Sequence, residues 1–435
     1  MKKRHLALAL PVAAALVLGL GACSPGNGAG SGGGETAGKP SLLVWVDATR
    51  EPAAKTYAAA VAGKVDVKVE VIDPTTLISK IQLFNTTKKG WPDVVFSGAP
   101  NDFATWADPA NGYAAPLNDT VSKKIFDGYG TANDWCKIDG KFYCLKNDLA
   151  QNVLWYDTTV FKKLGLTVPK TMDEFAATAM KLKGTGYIAG SVANNALYNG
   201  FLWPNGCQMT DIVDSGTIRI APGSKECTQV TDLLQPLVDA GVMTTQDPFD
   251  AAFLKKYPQA GKVAMTVGPS WFGEFVFKPK ESWGIPAGHM TAAEMPQWAG
   301  QDKAYSGEWG GGVWVASSHS KFPQAAADAV TFLATDDSIQ KDAVTYPAYG
   351  PALKVWSTKI SADKYYAADP IPAMAAQASR ISPAVKPVRF NADGAVTSVL
   401  STEVIGGTPL ATAVVDFQKN LAQLAEASGY KVVTK

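Results

Sequence analysis

The sequence predicts an α/β fold in which mostly parallel sheets are flanked by helices. Residues 42–46 form a short apolar run between polar residues, as in a buried strand. Residues 65–71 alternate apolar and polar side chains, as in a strand with one exposed face, and residues 92–96 return to a strand pattern. Residues 51–62 and 76–88, which lie between these strands, suit helices. Strands separated by helices indicate parallel pairing.

The same alternation continues along the chain. Thr171 and Glu174 form the Thr-x-x-Glu pattern of a capping box, which predicts the start of a helix. The last helix is predicted to be capped by Thr408 and closed by Gly429. Further strands and helices are predicted at 153–156, 171–183, 262–267, 312–316 and 323–334.

The N-terminus has the pattern of a secretory leader. A basic start at 2–4 precedes an apolar stretch at 6–20, which is shorter than the roughly 20 residues of a transmembrane helix. The sequence Leu-Gly-Ala-Cys that ends at Cys23 resembles the bacterial lipoprotein box, in which the cysteine becomes a lipid-carrying N-terminus. We therefore expect a signal peptide at 1–22, lipidation of Cys23 and a flexible, Gly- and Ser-rich spacer at 23–40.

Composition narrows the function classes. Removal of residues 1–22 from the 435 leaves 413, enough for two domains, with 37 basic and 39 acidic residues and a net charge of −2. A nearly neutral chain argues against nucleic-acid binding, which requires clustered Lys and Arg. After the leader the histidines are His289 and His319, and the sequence contains neither HExxH nor GxSxG. We expect no metal, no cofactor and no enzymatic activity. A glycoside hydrolase is left as an alternative, because two of the acidic residues could converge in the fold.

The remaining cysteines predict two disulfides, as expected outside the cytosol. Asp139-Gly140 is a hairpin turn signal, and a three-residue loop at 139–141 would place Cys136 opposite Cys144. Cys207–Cys227 follows by elimination. A zinc site is the alternative, but the close CxxC spacing is missing.

A series of short motifs occurs in a fixed order along the chain, at 92–95, 138–148, 154–157, 161–166, 169–175, 261–265, 268–271, 310–312 and 320–326. Together these motifs resemble the extracellular solute-binding proteins of ABC importers, in the family that includes maltose-binding protein. Three residues depart from the family pattern: Lys146 stands where proline is frequent, Asp157 where asparagine is, and Met172 where tryptophan is.

The resemblance implies a two-lobed periplasmic-binding-protein fold of the class II type, with a hinge between the lobes and the ligand in the cleft. It also implies that segments distant in sequence share a lobe. We expect the first lobe to combine 41–148 with 290–342, and the second to combine 149–289 with 343–435.

A sugar ligand requires flat aromatic rings for its C–H faces and polar side chains for its hydroxyls. In α/β folds, ligands bind where loops leave the carboxyl ends of strands. Trp271 follows the 262–267 strand, and the resemblance implies a sugar-stacking tryptophan at this position. The other candidates are Asp47, Arg50, Asn101, Asp102, Asn147, Asp148, Tyr198, Trp203, Glu308, Trp309 and Tyr349.

Each candidate also has an ordinary structural interpretation. Asp and Asn form turns and helix caps, and the aromatic side chains pack in lobe cores. The glycines at 310–312 allow a close backbone approach or a sharp bend. No Gly-Lys-Ser/Thr follows them, so they do not predict a nucleotide site.

Together these observations predict a monomeric solute-binding subunit of an ABC importer on the extracytoplasmic face of the membrane, held there by its lipid alone. It would capture a mono- or oligosaccharide by hinge closure and deliver it to the permease subunits. The same fold with a polyamine, a phosphoester or an iron chelate is the alternative, and a cell-surface glycan hydrolase is a third possibility.

Overall fold

The protein is described by a computed structural model that covers residues 38–108 and 112–434. The predicted signal peptide, the lipidation of Cys23 and residues 23–37 of the spacer lie outside the described residues. Within the described ranges, every helix is too short or too polar to cross a membrane.

The strands of the described residues are numbered in chain order. They are β1 (Ser41–Val46), β2 (Asp66–Val71), β3 (Val94–Ser97), β4 (Lys137–Ile138), β5 (Lys141–Phe142), β6 (Leu145–Lys146), β7 (Asp148–Leu149), β8 (Asn152–Asp157), β9 (Asp211–Asp214), β10 (Thr217–Arg219), β11 (Met265–Pro269), β12 (Met290–Ala293), β13 (Val313–Ala316), β14 (Tyr346–Pro347) and β15 (Lys431–Val433).

The α-helices are numbered in the same way. They are α1 (Glu51–Val61), α2 (Leu77–Thr87), α3 (Asp102–Ala107), α4 (Lys123–Tyr129), α5 (Thr158–Leu164), α6 (Met172–Met180), α7 (Lys225–Asp239), α8 (Ala251–Lys256), α9 (Pro323–Thr335), α10 (Asp337–Gln340), α11 (Gly350–Ser361), α12 (Ile371–Ala378), α13 (Ala392–Ala395), α14 (Thr402–Ile405) and α15 (Leu410–Ala427). Short 3₁₀ turns occur at Pro74–Thr76 and Asp134–Cys136, and π-helical segments at Tyr198–Leu202, Phe272–Phe277 and Val396–Ser401.

Two sheets frame the molecule. The larger has the order β2-β1-β3-β13-β6, and the second has the order β11-β8-β12. The predicted α/β class is confirmed, and β1 pairs in parallel with both β2 and β3, as the strand–helix alternation indicates. In contrast, β13 is antiparallel to β3 and β6, and β8 is antiparallel to β11 and β12. These partners join from distant parts of the chain, and hydrophobic periodicity carries no information about strand direction.

The strand pairing of β12 bears on the predicted lobe boundary at residue 290. β12, which the expected boundary at 290 assigns to the first lobe, pairs along its whole length with β8. The segments that cross between the two sheets are therefore near 145–152 and 306–313, where β6 pairs with β13 and Gln151 bridges to Glu308.

Local signals in the sequence mark the ends of several helices. The Thr171–Glu174 capping box is present, with the Thr171 hydroxyl accepting from the Glu174 amide. The last helix differs slightly from its prediction, because Pro409 rather than Thr408 occupies the N-cap. Gly429 follows that helix with φ of 82°, as expected for a closing glycine.

Both predicted disulfides, Cys136–Cys144 and Cys207–Cys227, are present. The hairpin loop differs from the prediction, because Ile138 pairs with Lys141 and the loop has two residues rather than three. Asp139 and Gly140 both have positive φ, 49° and 79°, as a type I′ turn requires.

Candidate functional site

A cavity of about 340 Å³ lies where loops leave the ends of β1, β3 and β11. This volume is within the range of about 300–1,000 Å³ that is usual for small-molecule sites. Its lining residues are Arg50, Gly98, Ala99, Pro100, Asp148, Asn195, Asn199, Trp271, Phe275, Trp309, Gly310, Gly311, Gly312, Thr345 and Asp393.

One wall of the cavity is aromatic. The Trp271 indole N–H donates to the Trp309 carbonyl at 2.7 Å, and the two rings meet edge to face with their centroids 5.9 Å apart. Phe275, which is 45% exposed, packs edge to face on Trp271 at 6.0 Å. Phe249 lies nearly parallel to the Trp271 ring, at an interplanar angle of 19°. The hydrogen bond fixes the Trp271 ring, which presents a rigid apolar surface to the cavity.

Another part of the cavity lining carries charge. Arg50 Nη2 lies 3.6 Å from Asp148 Oδ1, and Arg50 Nη1 lies 3.5 Å from Asp47 Oδ2. The guanidinium also sits over the Phe96 ring, 4.4 Å from its centroid. Burial raises the pKa of the Asp148 carboxyl, and Arg50 together with the Asn147 amide opposes this rise. Both ion pairs of Arg50 are longer than direct hydrogen bonds, so its N–H groups retain capacity for a ligand.

The glycines at 310–312 also line the cavity, and we call them its glycine floor. Gly310 and Gly311 have φ of 96° and 93°, which L side chains rarely adopt. A Cβ on Gly311 would come within 2.7 Å of Glu308 Oε1. The sequence predicts a close backbone approach at these glycines, and Gly311 closely approaches the buried Glu308 carboxylate as well as lining the cavity.

A recess of about 30 Å³ adjoins the cavity. Pro100, Asn199, Gly310 and Asp393 line both spaces. Other residues of the recess include the predicted candidates Asn101, Tyr198, Trp203 and Glu308.

Two acidic groups near the recess have raised pKa values. Burial raises the pKa of Asp393 to about 6 and that of Asp102 to about 7. The Ser97 hydroxyl donates to Asp102 Oδ2 at 2.6 Å, whereas Asp393 Oδ2 is buried without a hydrogen-bond partner among the described residues. Asp393 adds to the rise of the Asp102 pKa through like-charge repulsion.

Of the sequence-predicted candidates, Arg50, Asp148, Trp271 and Trp309 line the main cavity. Asp47 does not, and its Oδ1 instead accepts from the Arg50 backbone amide at 2.8 Å in the turn before α1.

Asn101 makes a structural bridge between distant segments. Its amide nitrogen donates to the carbonyls of Val388 and Phe390, and its Oδ1 accepts from the Val388 amide at 2.7 Å. These bonds join the loop after β3 to the segment that leads to α13. They use the amide nitrogen and oxygen, so little of the Asn101 side chain is left for a ligand.

Three further candidates also have structural partners. Asn147 Oδ1 accepts from the Trp314 indole and from Gln340. The Trp203 indole donates to the Ser382 carbonyl. The Tyr349 ring packs against Tyr129, outside both cavities.

Glu308 forms a buried ion pair beside the glycine floor of the cavity. Lys146 Nζ lies 2.6 Å from Oε1 and 2.5 Å from Oε2, and the Ala150 amide donates to Oε1 at 3.1 Å. Burial raises the pKa of Glu308, and Lys146 opposes the rise. Both side chains are almost fully buried, so the pair links the two crossing segments near 146 and 308.

Sequence reasoning missed several cavity residues. Asn195 and Asn199 both line the cavity, and Asn199 lies in the π-helical segment Tyr198–Leu202. Phe275 similarly lies in the π-helical segment Phe272–Phe277. π-Helical segments are often associated with functional sites, but their sequences carry no recognised signal. The other missed residues are Gly98, Ala99, Pro100, Thr345 and Asp393.

Within the described part of the chain, no cluster of His, Cys, Asp and Glu side chains has the arrangement of a metal site. The cavity is instead defined by aromatic rings, carboxylates, amides and one guanidinium.

A family model for the bacterial extracellular solute-binding proteins matches residues 52–375, about three quarters of the chain. The chain belongs to this family. The matched range covers Trp271, Trp309 and the glycine floor of the cavity, and it ends before Asp393. A search of curated proteins gave no significant match.

Solved structures similar to this solute-binding protein confirm its fold. The galacto-N-biose/lacto-N-biose I-binding protein of an ABC transporter from Bifidobacterium longum, in complex with lacto-N-biose, has a TM-score of 0.73 at 19% identity. An ABC-transporter-associated binding protein from B. animalis subsp. lactis, in complex with β-1,6-galactobiose, has a TM-score of 0.71 at 20% identity. Both alignments cover 91% of this chain and 100% of the other.

A cyclic α-maltosyl-1,6-maltose-binding protein from Arthrobacter globiformis has a TM-score of 0.68 at 16% identity, over 90% of this chain and 100% of the other. The predicted two-lobed, maltose-binding-protein-like class is thus confirmed at the level of fold.

Proposed function

We propose that this chain is the lipid-anchored, substrate-capturing subunit of an ABC importer and that its cargo is a mono- or oligosaccharide. The observation that carries the proposal is that aromatic and charged side chains line the same cavity: Trp271 and Trp309 together with Arg50 and Asp148. A sugar matches such a site, because its ring faces carry C–H groups and its rim carries hydroxyls.

The relatives support this choice of cargo. Those from B. longum, B. animalis and A. globiformis have a similar fold and bind oligosaccharides. The mixed charges of the cavity wall also suit a polar ligand with no strong net charge better than a phosphoester or an iron chelate.

Binding would be coupled to hinge closure between two lobes built around the β1 sheet and the β8 sheet. We place β12 with the second lobe, because it pairs with β8. The bonds from Asn101 to the backbone of Val388 and Phe390 join the two proposed lobes. Contacts of this kind, formed only on closure, would shift the population toward the closed form that docks on the permease.

A thermal-shift screen of the mature chain tests the proposal, because a ligand that binds only the folded state raises Tm. The panel contains glucose, galactose, lacto-N-biose, β-1,6-galactobiose, laminaribiose and maltotetraose. We expect at least one of these sugars to raise Tm by several degrees. A panel without any shift contradicts the proposed cargo.

Trp271→Ala is expected to weaken binding of the best sugar more than tenfold, as loss of a central aromatic anchor does. Isothermal titration calorimetry measures the change. Trp91→Ala is the matched control, because Trp91 is a half-buried tryptophan that stacks on His319 outside the cavity. Equal losses in both variants would remove Trp271 from the site.

A further inference from the structure

Asp393 has an unusual position for an acidic residue. It lines both the main cavity and the recess, and its Oδ2 is buried without a hydrogen-bond partner in the described part of the chain. Burial raises the pKa of its carboxyl to about 6. A buried carboxylate oxygen without a donor is costly, because this oxygen has lost water and regained nothing.

The other carboxylates around the two spaces have partners. Asp148 has Arg50 and the Asn147 amide, which donates to its Oδ1 at 2.8 Å. Asp102 accepts from the Ser97 hydroxyl, and Glu308 is paired with Lys146. Each of these acids thus has at least one partner within the protein, whereas Asp393 Oδ2 has none among the described residues where it meets the cavity.

The size of the recess limits what can reach Asp393 there. About 30 Å³ exceeds the roughly 10–15 Å³ that one small polar group or water needs, and is far below the space of a sugar ring. A ring therefore has to lie in the 340 Å³ cavity, with one substituent directed at Asp393.

We propose that Asp393 is a ligand-binding residue that accepts a hydrogen bond from a hydroxyl or ammonium substituent of the captured sugar. The ligand thereby supplies the donor that the protein lacks. A sugar that carries a carboxylate, phosphate or sulfate at this position is rejected by like-charge repulsion. This inference rests on the proposed function and adds a rule of specificity to it.

The test compares Asp393→Asn and Asp393→Ala with wild type, with the matched control Asp302→Asn at a site outside both cavities. The sugar panel above is extended with glucosamine, galactosamine, glucuronate and galacturonate. Calorimetry gives Kd for each, and thermal melts give Tm without ligand.

We expect opposite effects on stability and binding. Without ligand, Asp393→Asn should melt at a higher temperature than wild type, because a buried unpaired charge has been removed. The same variant should bind the best sugar at least tenfold more weakly. A residue with a purely structural role would lower Tm instead, and a lower Tm for Asp393→Asn overturns the inference.

Analogues of the best sugar that each lack one polar substituent locate the contact. Loss of one particular hydroxyl or amine should weaken binding to wild type and have little further effect on Asp393→Ala, the signature of a direct pair in a double-mutant cycle. A best ligand among the neutral sugars identifies a hydroxyl donor, and a best ligand among the amino sugars identifies an ammonium donor.

The remaining outcomes separate the two proposals. If a sugar binds wild type and both Asp393 variants equally, the inference fails and the proposed function stands. Preferred binding of a uronate also overturns the inference. If no sugar of the extended panel binds, the proposed function fails and the role of Asp393 fails with it.

Discussion

Two charged pairs lie close together near the cavity and differ in how completely they are satisfied. In the Lys146–Glu308 pair, both carboxylate oxygens lie within 2.6 Å of the ammonium, and the Ala150 amide adds a third bond. In the Arg50–Asp148 pair, the nearest nitrogen and oxygen are 3.6 Å apart. The side chains of the first pair are almost fully buried and do not line the main cavity, whereas both members of the second pair line it.

The difference separates structure from binding. Lys146 and Glu308 bond to each other, and Glu308 also accepts from the Ala150 amide, so we assign the pair a structural role. Arg50 and Asp148 keep N–H and oxygen capacity for a third partner. Burial of a charge does not by itself mark a binding residue, and the pattern of satisfied and unsatisfied atoms is more informative.

The largest expected effect is on the satisfied pair. Glu308→Gln leaves the Lys146 ammonium buried without its counter-charge, and we expect a loss of about 3–5 kcal/mol in the free energy of unfolding. Urea denaturation followed by circular dichroism measures it. The double variant Lys146→Met/Glu308→Leu is the control and should recover most of the loss, since no charge is then left unpaired. A single variant as stable as wild type would contradict the structural role of the pair.

A smaller effect is expected on the open pair. Arg50→Ala should weaken binding of the best sugar about tenfold, in line with the loss of a charge-assisted hydrogen bond. Arg50→Lys keeps the charge without the planar fork and should recover part of the affinity. Unchanged affinity in Arg50→Ala would place Arg50 with the structural residues.

The pH dependence of Arg50→Ala sharpens this contrast. Burial raises the pKa of Asp148 and Arg50 opposes the rise, so without Arg50 the pKa of the folded state is higher still. The folded state then binds a proton more readily than the unfolded state, and its stability falls as the pH rises. Relative to wild type, the deficit in unfolding free energy should be small near about pH 4 and grow toward about pH 8. A constant deficit across this range would contradict the coupling.

The smallest effect is expected at Asp47. Its side chain accepts from the Arg50 amide and approaches the guanidinium at 3.5 Å, outside the cavity. Asp47→Ala should cost about 1 kcal/mol in stability, as loss of a side chain–backbone hydrogen bond does, and change Kd by less than about threefold. Calorimetry and urea titration of the same sample give both values. A larger loss of affinity than in Arg50→Ala would assign ligand contact to Asp47 itself.

Local sequence signals predicted part of the secondary structure and part of the site. The capping box at Thr171, the Asp139-Gly140 turn and the Cys136–Cys144 disulfide depend on neighbours within about ten residues, and all three are present. Trp271 lines the cavity because it follows β11, a relation that the order of elements already contains.

The long-range pairings were not predictable in the same way. From the sequence, Asn101 is compatible with a turn, a helix cap or a ligand contact. Its bonds to the carbonyls of Val388 and Phe390 join residues that are 287 and 289 positions apart in the chain. The antiparallel direction of β12 against β8 likewise depends on the path of the chain between them.

The sequence by itself determined the alternation of strands and helices, the covalent cross-links and the aromatic side of the cavity, because these follow from periodicity and close neighbours. Tertiary structure alone decided which polar groups are consumed by the protein and which stay open. Glu308 and Asp393 are both acids in the sequence. In the fold, Glu308 pairs with Lys146, whereas Oδ2 of Asp393 has no hydrogen-bond partner among the described residues. Hydrogen bonds and ion pairs act over a few ångströms, so their outcome is set only when distant segments meet.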